Sequence, residues 1–258
     1  MKAQFSQKIS SERKAVMNAV AAITRTEVQY RGAPSFAYET GNWHIGRDGV
    51  LTSPVFDMDA GGPLFHADLM GTLGKQGIVA EGMLTVSIFP DDYDPTHLHN
   101  IRAILAGKAS LFRHALDAKV EPSAVLFEGG ILAEYGLAGG FVFPFYPATM
   151  TFPGILAALQ FSERVHAQAV SQKKVRTKDA VVANEKYAMR CFLLRIGMIG
   201  AGYATARKEL LRRLSGDSSF KSGPRPVDAP GTGVTVAALE DGAMAQESGL
   251  QGLETTSV

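Results

Sequence analysis

The sequence predicts an α+β fold in which short antiparallel strands are flanked by helices. Apolar residues recur at helical spacing in some segments and alternate with polar residues in others, and turn residues separate these segments. Of the 258 residues, 46% are hydrophobic and 20% are charged, which excludes collagen-like, coiled-coil and wholly disordered classes. The order helix–strands–helix occurs twice, over residues 10–76 and 96–170, and indicates either a duplicated unit or one irregular domain.

The first half is predicted to begin with a helix. Ser10 or Ser11 can cap this helix, which turns an apolar face to the core and ends near Thr24. Strand-like pieces follow at residues 28–30, 36–39, 43–45 and 50–52. The pair Asp48-Gly49 predicts a hairpin turn between the last two, because this pair tolerates positive φ. Residues 63–76 predict a second helix, which two internal glycines weaken.

The second half repeats this order. Residues 83–89 alternate between apolar and polar side chains and predict a strand with one buried face. Thr96 can cap a helix that continues to about Leu116. Strand-like pieces at 124–128, 131–135 and 141–146 then lead to a helix over 155–170, preceded by Pro153.

The C-terminal part is predicted to be helical and then disordered. Asn184 can cap a helix that runs to about Ile199, and a second helix ends at Leu214. From Lys221 onward small and polar residues dominate, which is typical of disorder. Four parts are therefore expected: α+β units at 1–80 and 81–172, a basic helical segment at 173–220, and a disordered tail at 221–258.

Charge is distributed unevenly along the chain. The formal net charge is +1, but residues 173–225 contain 13 basic and four acidic residues and carry +9, which leaves −8 for the remainder. Clustered Lys and Arg can neutralise phosphates, so this asymmetry indicates an anionic partner. The predicted binding residues come from a run between two helices and from one face of the last helix: Lys173, Lys174, Arg176, Lys178, Arg207, Lys208, Arg212 and Arg213.

The basic cluster is also compatible with two roles that involve no nucleic acid. It can be a solvated helix face that docks against the acidic remainder of the chain, or it can bind an acidic protein surface. No aromatic residues interleave with the basic residues of the exposed stretch, so stacking of single-stranded bases is not expected there.

Catalytic and metal-binding motifs are weak in this sequence. The loop from Asp91 to His99 holds three carboxylates and two imidazoles. However, His97 and His99 would point about 200° apart on a helix and cannot share one ion. They are weak metal candidates, and neither a metal nor another cofactor is expected. The single cysteine, Cys191, lies among apolar residues, which predicts a buried, inert thiol. Phosphate-loop, dinucleotide and nucleophile-elbow fingerprints do not occur.

Several segments near both ends of the predicted folded part carry a family resemblance: residues 11–15 (SERKA), 30–38 (YRGAPSFAY), 184–195 (NEKYAMRCFLLR), 199–200 (IG), 206–208 (ARK) and 214–216 (LSG). Together they resemble a family of "virulence-related" proteins from prophages and conjugative elements of gut Firmicutes. No catalytic residue is carried over from that family. The resemblance implies a mobile-element setting, in which proteins that handle DNA or counter host defence are common.

These observations favour a non-enzymatic binding protein that acts through its basic C-terminal helices. The expected partner is nucleic acid or a complex that handles nucleic acid, and an inhibitor of a host defence system would be one instance. An enzyme with a site around the 91–99 loop and a structural or assembly protein of a phage particle are the alternatives. Because the sequence lacks a long apolar run and a signal-peptide stretch, a cytoplasmic protein without a membrane partner is expected.

Overall fold

The strand at the centre of the fold lies in residues for which the sequence predicted no element. In the computed structural model, which describes residues 1–58, 61–127, 134–172 and 182–219, this strand is β1 (Lys2–Ile9). Ala3, Phe5 and Ile9 are buried on one face. Gln7 shares that face and interrupts the apolar alternation. With its amide oriented to satisfy both partners, it exchanges hydrogen bonds of 2.9 and 3.1 Å with the backbone of Thr149.

The strands of the described residues form one antiparallel sheet. They are β1, β2 (Gln29–Tyr30), β3 (Tyr38–Thr40), β4 (Trp43–Ile45), β5 (Val50–Thr52), β6 (Phe56–Asp57), β7 (Ala80–Phe89), β8 (Val125–Phe127) and β9 (Gly140–Pro147). Their order across the sheet is β2-β3-β4-β5-β1-β7-β9-β8, and β6 pairs with one end of β1. The predicted strand at 131–135 lies mostly outside the described residues.

The described residues contain seven α-helices. They are α1 (Arg13–Thr24), α2 (Gly62–Lys75), α3 (His97–Ala106), α4 (Ala109–Leu116), α5 (Phe152–Ser171), α6 (Glu185–Arg195) and α7 (Ala204–Leu211). Together with the antiparallel sheet they confirm the predicted α+β class. None of the described helices combines the length and apolar character that crossing a bilayer requires.

The two halves of the sheet share one order of elements. In the first half, β1 is followed by a helix, by strands and by α2; in the second half, β7 is followed by helices, by strands and by α5. β1 and β7 are neighbours at the centre, and each is flanked by a later strand of its own half, β5 or β9. Residues 1–80 and 81–172 thus contribute strands to one sheet, and Met1–Pro224 forms one compact unit. Whether the halves arose by duplication stays a prediction.

The two faces of the sheet differ in polarity. On the helix-covered face the pairing aligns one row of side chains across seven strands: Tyr30, Tyr38, Ile45, Leu51, Gln7, Leu84 and Tyr146. On the opposite face the neighbouring row consists of Gln29, Glu39, His44, Thr52, Ser6 and Thr85. The core therefore lies between the sheet and the helices, and much of the other face is polar.

The predicted start of one helix and the predicted continuity of another need correction. Neither Ser10 nor Ser11 caps α1; Glu12 does, because its carboxylate accepts hydrogen bonds from the backbone of the first turn. The helix expected from Thr96 to Leu116 is interrupted at Gly107 and Lys108, so that α3 and α4 are separate. The start of α1 is thus decided by the carboxylate of Glu12 and not by a serine hydroxyl.

The two glycines within α2 have a packing role. A Cβ on Gly74 would lie 2.8 Å from the Cβ of Met150, and one on Gly71 would lie 3.1 Å from the backbone nitrogen of Phe152. Real Cβ atoms do not approach so closely without a shift of the neighbour. Glycine at these positions lets α2 lie close to the start of α5.

Candidate nucleic-acid interface

The predicted basic cluster falls partly within the described residues. Four of its members lie outside them: Lys173, Lys174, Arg176 and Lys178. The other four lie on α7 or directly after it: Arg207, Lys208, Arg212 and Arg213. Only these four can be compared with the expectation of a shared phosphate-binding face.

The hairpin formed by α6 and α7 is fixed by polar contacts at its open end. The side chain of Asn184 accepts a hydrogen bond of 3.0 Å from the backbone N–H of Tyr187, as the predicted cap requires. The backbone N–H of Lys186 donates to the carbonyl of Ser215, whose hydroxyl donates to Glu185. These contacts hold the start of α6 against the chain segment that follows α7.

Arg207 is engaged by the backbone of its own hairpin. One terminal nitrogen of its guanidinium donates to the carbonyl oxygens of Met198 and Gly200, each at 2.9 Å. Both carbonyls belong to the connection between α6 and α7, and charged donors make strong hydrogen bonds to such acceptors. Arg207 therefore stabilises the hairpin, and its role as a predicted phosphate ligand has no geometric support.

Arg212 and Arg213 are paired with carboxylates. Arg212 donates two hydrogen bonds to Glu209, and this pairing raises the pKa of the guanidinium. Arg213 pairs with Asp117, the residue that ends α4. Hydrogen bonds from Lys119 and Arg213 hold the pKa of Asp117 below its usual value. The formal charges of both arginines are thus partly neutralised by neighbours.

A different set of cationic side chains remains available on this hairpin. We call it the basic hairpin face: Lys186 and Arg190, which lie one turn apart on α6, with Lys208 of α7. Across the described ranges no carboxylate lies within ion-pair distance of any of the three. Arg190 and Lys208 are exposed and Lys186 is half-buried. The sequence pattern included Lys186, Arg190 and Arg195 in the net charge but did not single them out as binding residues.

The docking hypothesis can be compared with the ion pairs of this region. Residues 184–219 contain seven basic and three acidic residues and carry a net charge of +4. Within the part of the chain that the structure describes, the pairs that join them to other segments are Arg213 with Asp117 and His114 with Glu185. Neither reaches the acidic residues of 1–80, so these helices are not neutralised by that part of the chain.

Glu185 illustrates how the acidic residues of the hairpin are occupied. Partial burial acts to raise the pKa of this carboxyl, but hydrogen bonds from His114 and Ser215 outweigh it, and the pKa lies below its usual value. Glu185 is therefore ionised and held by the fold. It does not pair with the lysine that follows it in sequence.

A cavity of about 250 Å³ lies between the start of α5 and the end of α7. It is lined by the start of α5, including Thr151 and Gly154, and by Arg212 and Arg213. A helix start with two arginines is an arrangement that suits an anion. Here both guanidinium groups already hold carboxylates, and the hydroxyl of Thr151 accepts from the backbone of Gly154, so the cavity offers no free donor set.

The 91–99 loop does not assemble a metal centre. Asp91 accepts a hydrogen bond of 2.7 Å from the amino group of Met1, and Asp94 accepts one of 2.8 Å from the backbone of Thr96. His97 is half-buried at the start of α3, whereas His99 is exposed. In the described ranges no three His, Cys, Asp or Glu side chains come together as a metal site.

Cys191 is less buried than its apolar neighbours predicted. It is half-buried on α6, one helical turn after Tyr187.

The polar face of the sheet holds a cleft of about 490 Å³. Its lining includes the carboxylates Glu27, Glu39 and Glu134 and one guanidinium, Arg31. Arg31 is held by Glu39 through a hydrogen bond of 2.6 Å. This excess of acidic groups repels phosphates, so the cleft is not a second nucleic-acid surface.

The chain has no match among the known proteins with which it was compared. A scan against protein-family models, a search of curated proteins and a search of solved structures each found none.

Proposed function

We propose that the protein binds nucleic acid, without a chemical step on it, through the basic hairpin face. The observation that carries this proposal is the contrast within one hairpin. Glu185 and Glu209 are occupied by neighbouring groups, whereas Lys186, Arg190 and Lys208 have no carboxylate partner in the described ranges. Unpaired cations at fixed positions on two packed helices can release counterions from a phosphate backbone.

The chemistry of this face favours contacts with the phosphate backbone over base recognition. Its members are lysine and arginine side chains on helices that pack together. Such side chains position a protein on a duplex but carry little sequence information by themselves. The four cationic residues of 173–178 immediately precede this hairpin in sequence and belong to the same proposal.

The biological setting is proposed from the sequence resemblance. A mobile-element protein that acts against a host defence system needs a shaped, charged surface and no active site. Binding to nucleic acid that a host nuclease also recognises would be sufficient for such a role. The cytoplasmic location is part of the same proposal.

Salt-dependent binding tests the basic hairpin face. The protein is titrated into a fluorescein-labelled duplex of about 20 base pairs, two helical turns, and anisotropy is followed from about 50 to 200 mM salt. The triple variant K186Q/R190Q/K208Q is expected to bind the duplex more weakly. The slope of log K against log salt should fall by about 0.9 for each phosphate contact that is lost.

A matched variant distinguishes an effect of the basic hairpin face from a general effect of positive charge. K8Q/R25Q/K75Q removes the same three charges from exposed positions in the first half of the chain. It is expected to keep most of the affinity of the parent. Equal losses in both triple variants, or binding that does not weaken with salt, would overturn the proposal. Binding of an acidic protein in preference to the duplex would overturn it as well.

A further inference from the structure

At the β2 edge of the sheet, a row of side chains that ends in two tyrosines extends from the core to the surface. On the helix-covered face, Tyr30 of β2 pairs with Tyr38 of β3, which pairs with Ile45 of β4. Ile45 is fully buried and Tyr38 is half-buried, but Tyr30 is 55% exposed. The two tyrosine rings lie 4.9 Å apart. The row therefore runs out of the core, and its last ring faces solvent.

Arg13 fixes the inner part of this row. Its guanidinium lies 5.4 Å from the centre of the Tyr38 ring. The same group donates hydrogen bonds of 2.8 Å to the carbonyl of Phe36 and of 3.2 Å to that of Gly46. Arg13 thus ties α1, the β2–β3 loop and the β4–β5 turn together. Because these contacts hold the rings in place, the protein loses less conformational entropy when a ligand binds.

Phe36 presents a second exposed ring on the same loop. It is 37% exposed and has a φ of 51°, a left-handed conformation that is uncommon for a residue of its size. The guanidinium of Arg47, from the β4–β5 turn, lies 5.5 Å from the centre of its ring. An aromatic side chain is thus held at the surface beside an exposed cation.

One exposed cation beside these rings favours an anionic ligand. Of the four carboxylates close in sequence, Glu12 is held by the start of α1, Glu39 by Arg31 and Asp48 by the backbone of Val50. The fourth, Glu27, lines the cleft on the opposite face of the sheet. Arg47 is exposed and has no carboxylate within ion-pair distance in the described ranges. The guanidinium of the half-buried Arg13 is instead held by two backbone carbonyls. A series of contacts thus links Tyr30, Tyr38, Arg13, Phe36 and Arg47, and Arg47 is the exposed cation of this series.

We propose that this patch, which we call the aromatic edge (Arg13, Tyr30, Phe36, Tyr38 and Arg47), binds single-stranded nucleic acid. Unpaired bases stack on Tyr30 and Phe36, because every base has a flat apolar face, and Arg47 contacts the phosphate between them. The inference goes beyond the basic hairpin face and rests on the proposed function only for the choice of nucleic acid as ligand.

Binding of an oligothymidylate of about 12 nucleotides, which has no secondary structure, tests the aromatic edge. Tyr30→Ala is expected to weaken binding by a factor between about 5 and 150, the range for loss of one stacked base. Tyr30→Phe keeps the ring and is expected to restore most of the affinity. Because Tyr30 lies on an edge strand and is exposed, thermal melts of these variants should coincide with that of the parent.

The matched control is Phe65→Ala on α2, which removes another exposed ring, 56% accessible, outside the aromatic edge. It is expected to leave oligothymidylate binding unchanged. If Tyr30→Ala binds like the parent, or if the parent does not bind the oligonucleotide at low salt, the inference is wrong.

The two proposals fail separately. One outcome is that K186Q/R190Q/K208Q binds the duplex like the parent while Tyr30→Ala no longer binds the single strand. The proposal for the aromatic edge is then supported, and the proposal for the basic hairpin face is wrong. The opposite pattern supports the hairpin and overturns the edge.

Discussion

The guanidinium of Arg207 donates a hydrogen bond of 2.9 Å to the carbonyl oxygen of Gly200. Gly200 precedes the short 3-10 turn at Ala201–Tyr203 and has a φ of 84°, where a glycine is favoured. A second bond from the same nitrogen reaches Met198. The side chain that the charge pattern assigned to phosphate therefore holds the connection between two helices.

Replacing Arg207 by Ala is expected to lower the free energy of unfolding by about 2 kcal/mol, because two carbonyls lose a charged donor. Urea denaturation measures this loss. Arg190→Ala, which removes an exposed arginine without a hydrogen bond in the described ranges, should cost less than about 0.5 kcal/mol. Equal losses in the two variants would contradict the structural role of Arg207.

Replacing Asp117 by Asn is expected to strengthen duplex binding about threefold at low salt, because Arg213 loses its carboxylate partner and becomes available to phosphate. Asp117 has a φ of 51°, a conformation that Asn adopts readily, so folding should be preserved. Asp68→Asn makes the same charge change at an exposed position of α2 and serves as the control. Similar gains in both variants would show a general effect of charge.

His66 is expected to make the fold sensitive to acid. Burial lowers the pKa of this imidazole from 6.5 to about 4. The unfolded chain therefore binds a proton near pH 6.5, whereas the folded chain binds it only near pH 4. The free energy of unfolding accordingly falls as the pH drops from about 6.5 to 4. At pH 4 the loss from this residue is about 3 kcal/mol.

Phe is the substitution that tests this effect. The ring of His66 stacks on Phe56 at 4.0 Å and meets Phe65 edge-on at 5.3 Å, so an aromatic side chain fits the site. His66→Phe should denature at the urea concentration of the parent or above it at pH 7, and should lose less stability by pH 4.5. His166, whose pKa burial and the charge of His97 also lower to about 4, keeps part of the acid sensitivity in the variant. Parallel pH profiles for parent and variant would refute the assignment.

Tyr146 and Ser162 form a buried pair whose hydroxyl groups lie 2.6 Å apart. Burial raises the pKa of Tyr146, against the effect of this hydrogen bond, so the phenol is neutral. Ser162→Ala is expected to cost about 1–3 kcal/mol, since it leaves a buried hydroxyl without a partner.

The double variant Tyr146→Phe/Ser162→Ala removes both hydroxyls and should recover part of that loss. Urea denaturation of the two single variants and the double variant completes the cycle. Additive losses would mean that the two hydroxyls do not interact.

Elements whose partners are close in sequence were predicted well. The strands at 43–45 and 50–52 occur at the predicted bounds, and the helix expected at 63–76 spans Gly62–Lys75. Asp48-Gly49 forms the expected turn, with Gly49 at a φ of 78°. In these segments periodicity and turn chemistry act over a few residues, so the sequence alone contains the information.

β1 could not be predicted in the same way. One of its buried positions is Gln7, whose amide is satisfied by the backbone of Thr149, a residue far away in the sequence. A polar residue on the core face is stable only if such partners exist, and the partners are distant in sequence. The remaining alternation of Ala3, Phe5 and Ile9 is the signal that could have revealed the strand.

The sequence by itself determined the α+β class, most of the helices and the concentration of positive charge in residues 173–225. Only the tertiary structure decided which cations are available. Arg207 and Arg190 are chemically identical, yet one faces two carbonyls and the other has no hydrogen-bond partner in the described ranges. Charge depends on composition, whereas pairing depends on which carbonyls and carboxylates the folded chain brings within about 3 Å. The aromatic edge could not be predicted for the same reason, because Arg13 contacts Tyr38, and Arg47 contacts Phe36, only after α1, the sheet edge and the β4–β5 turn pack together.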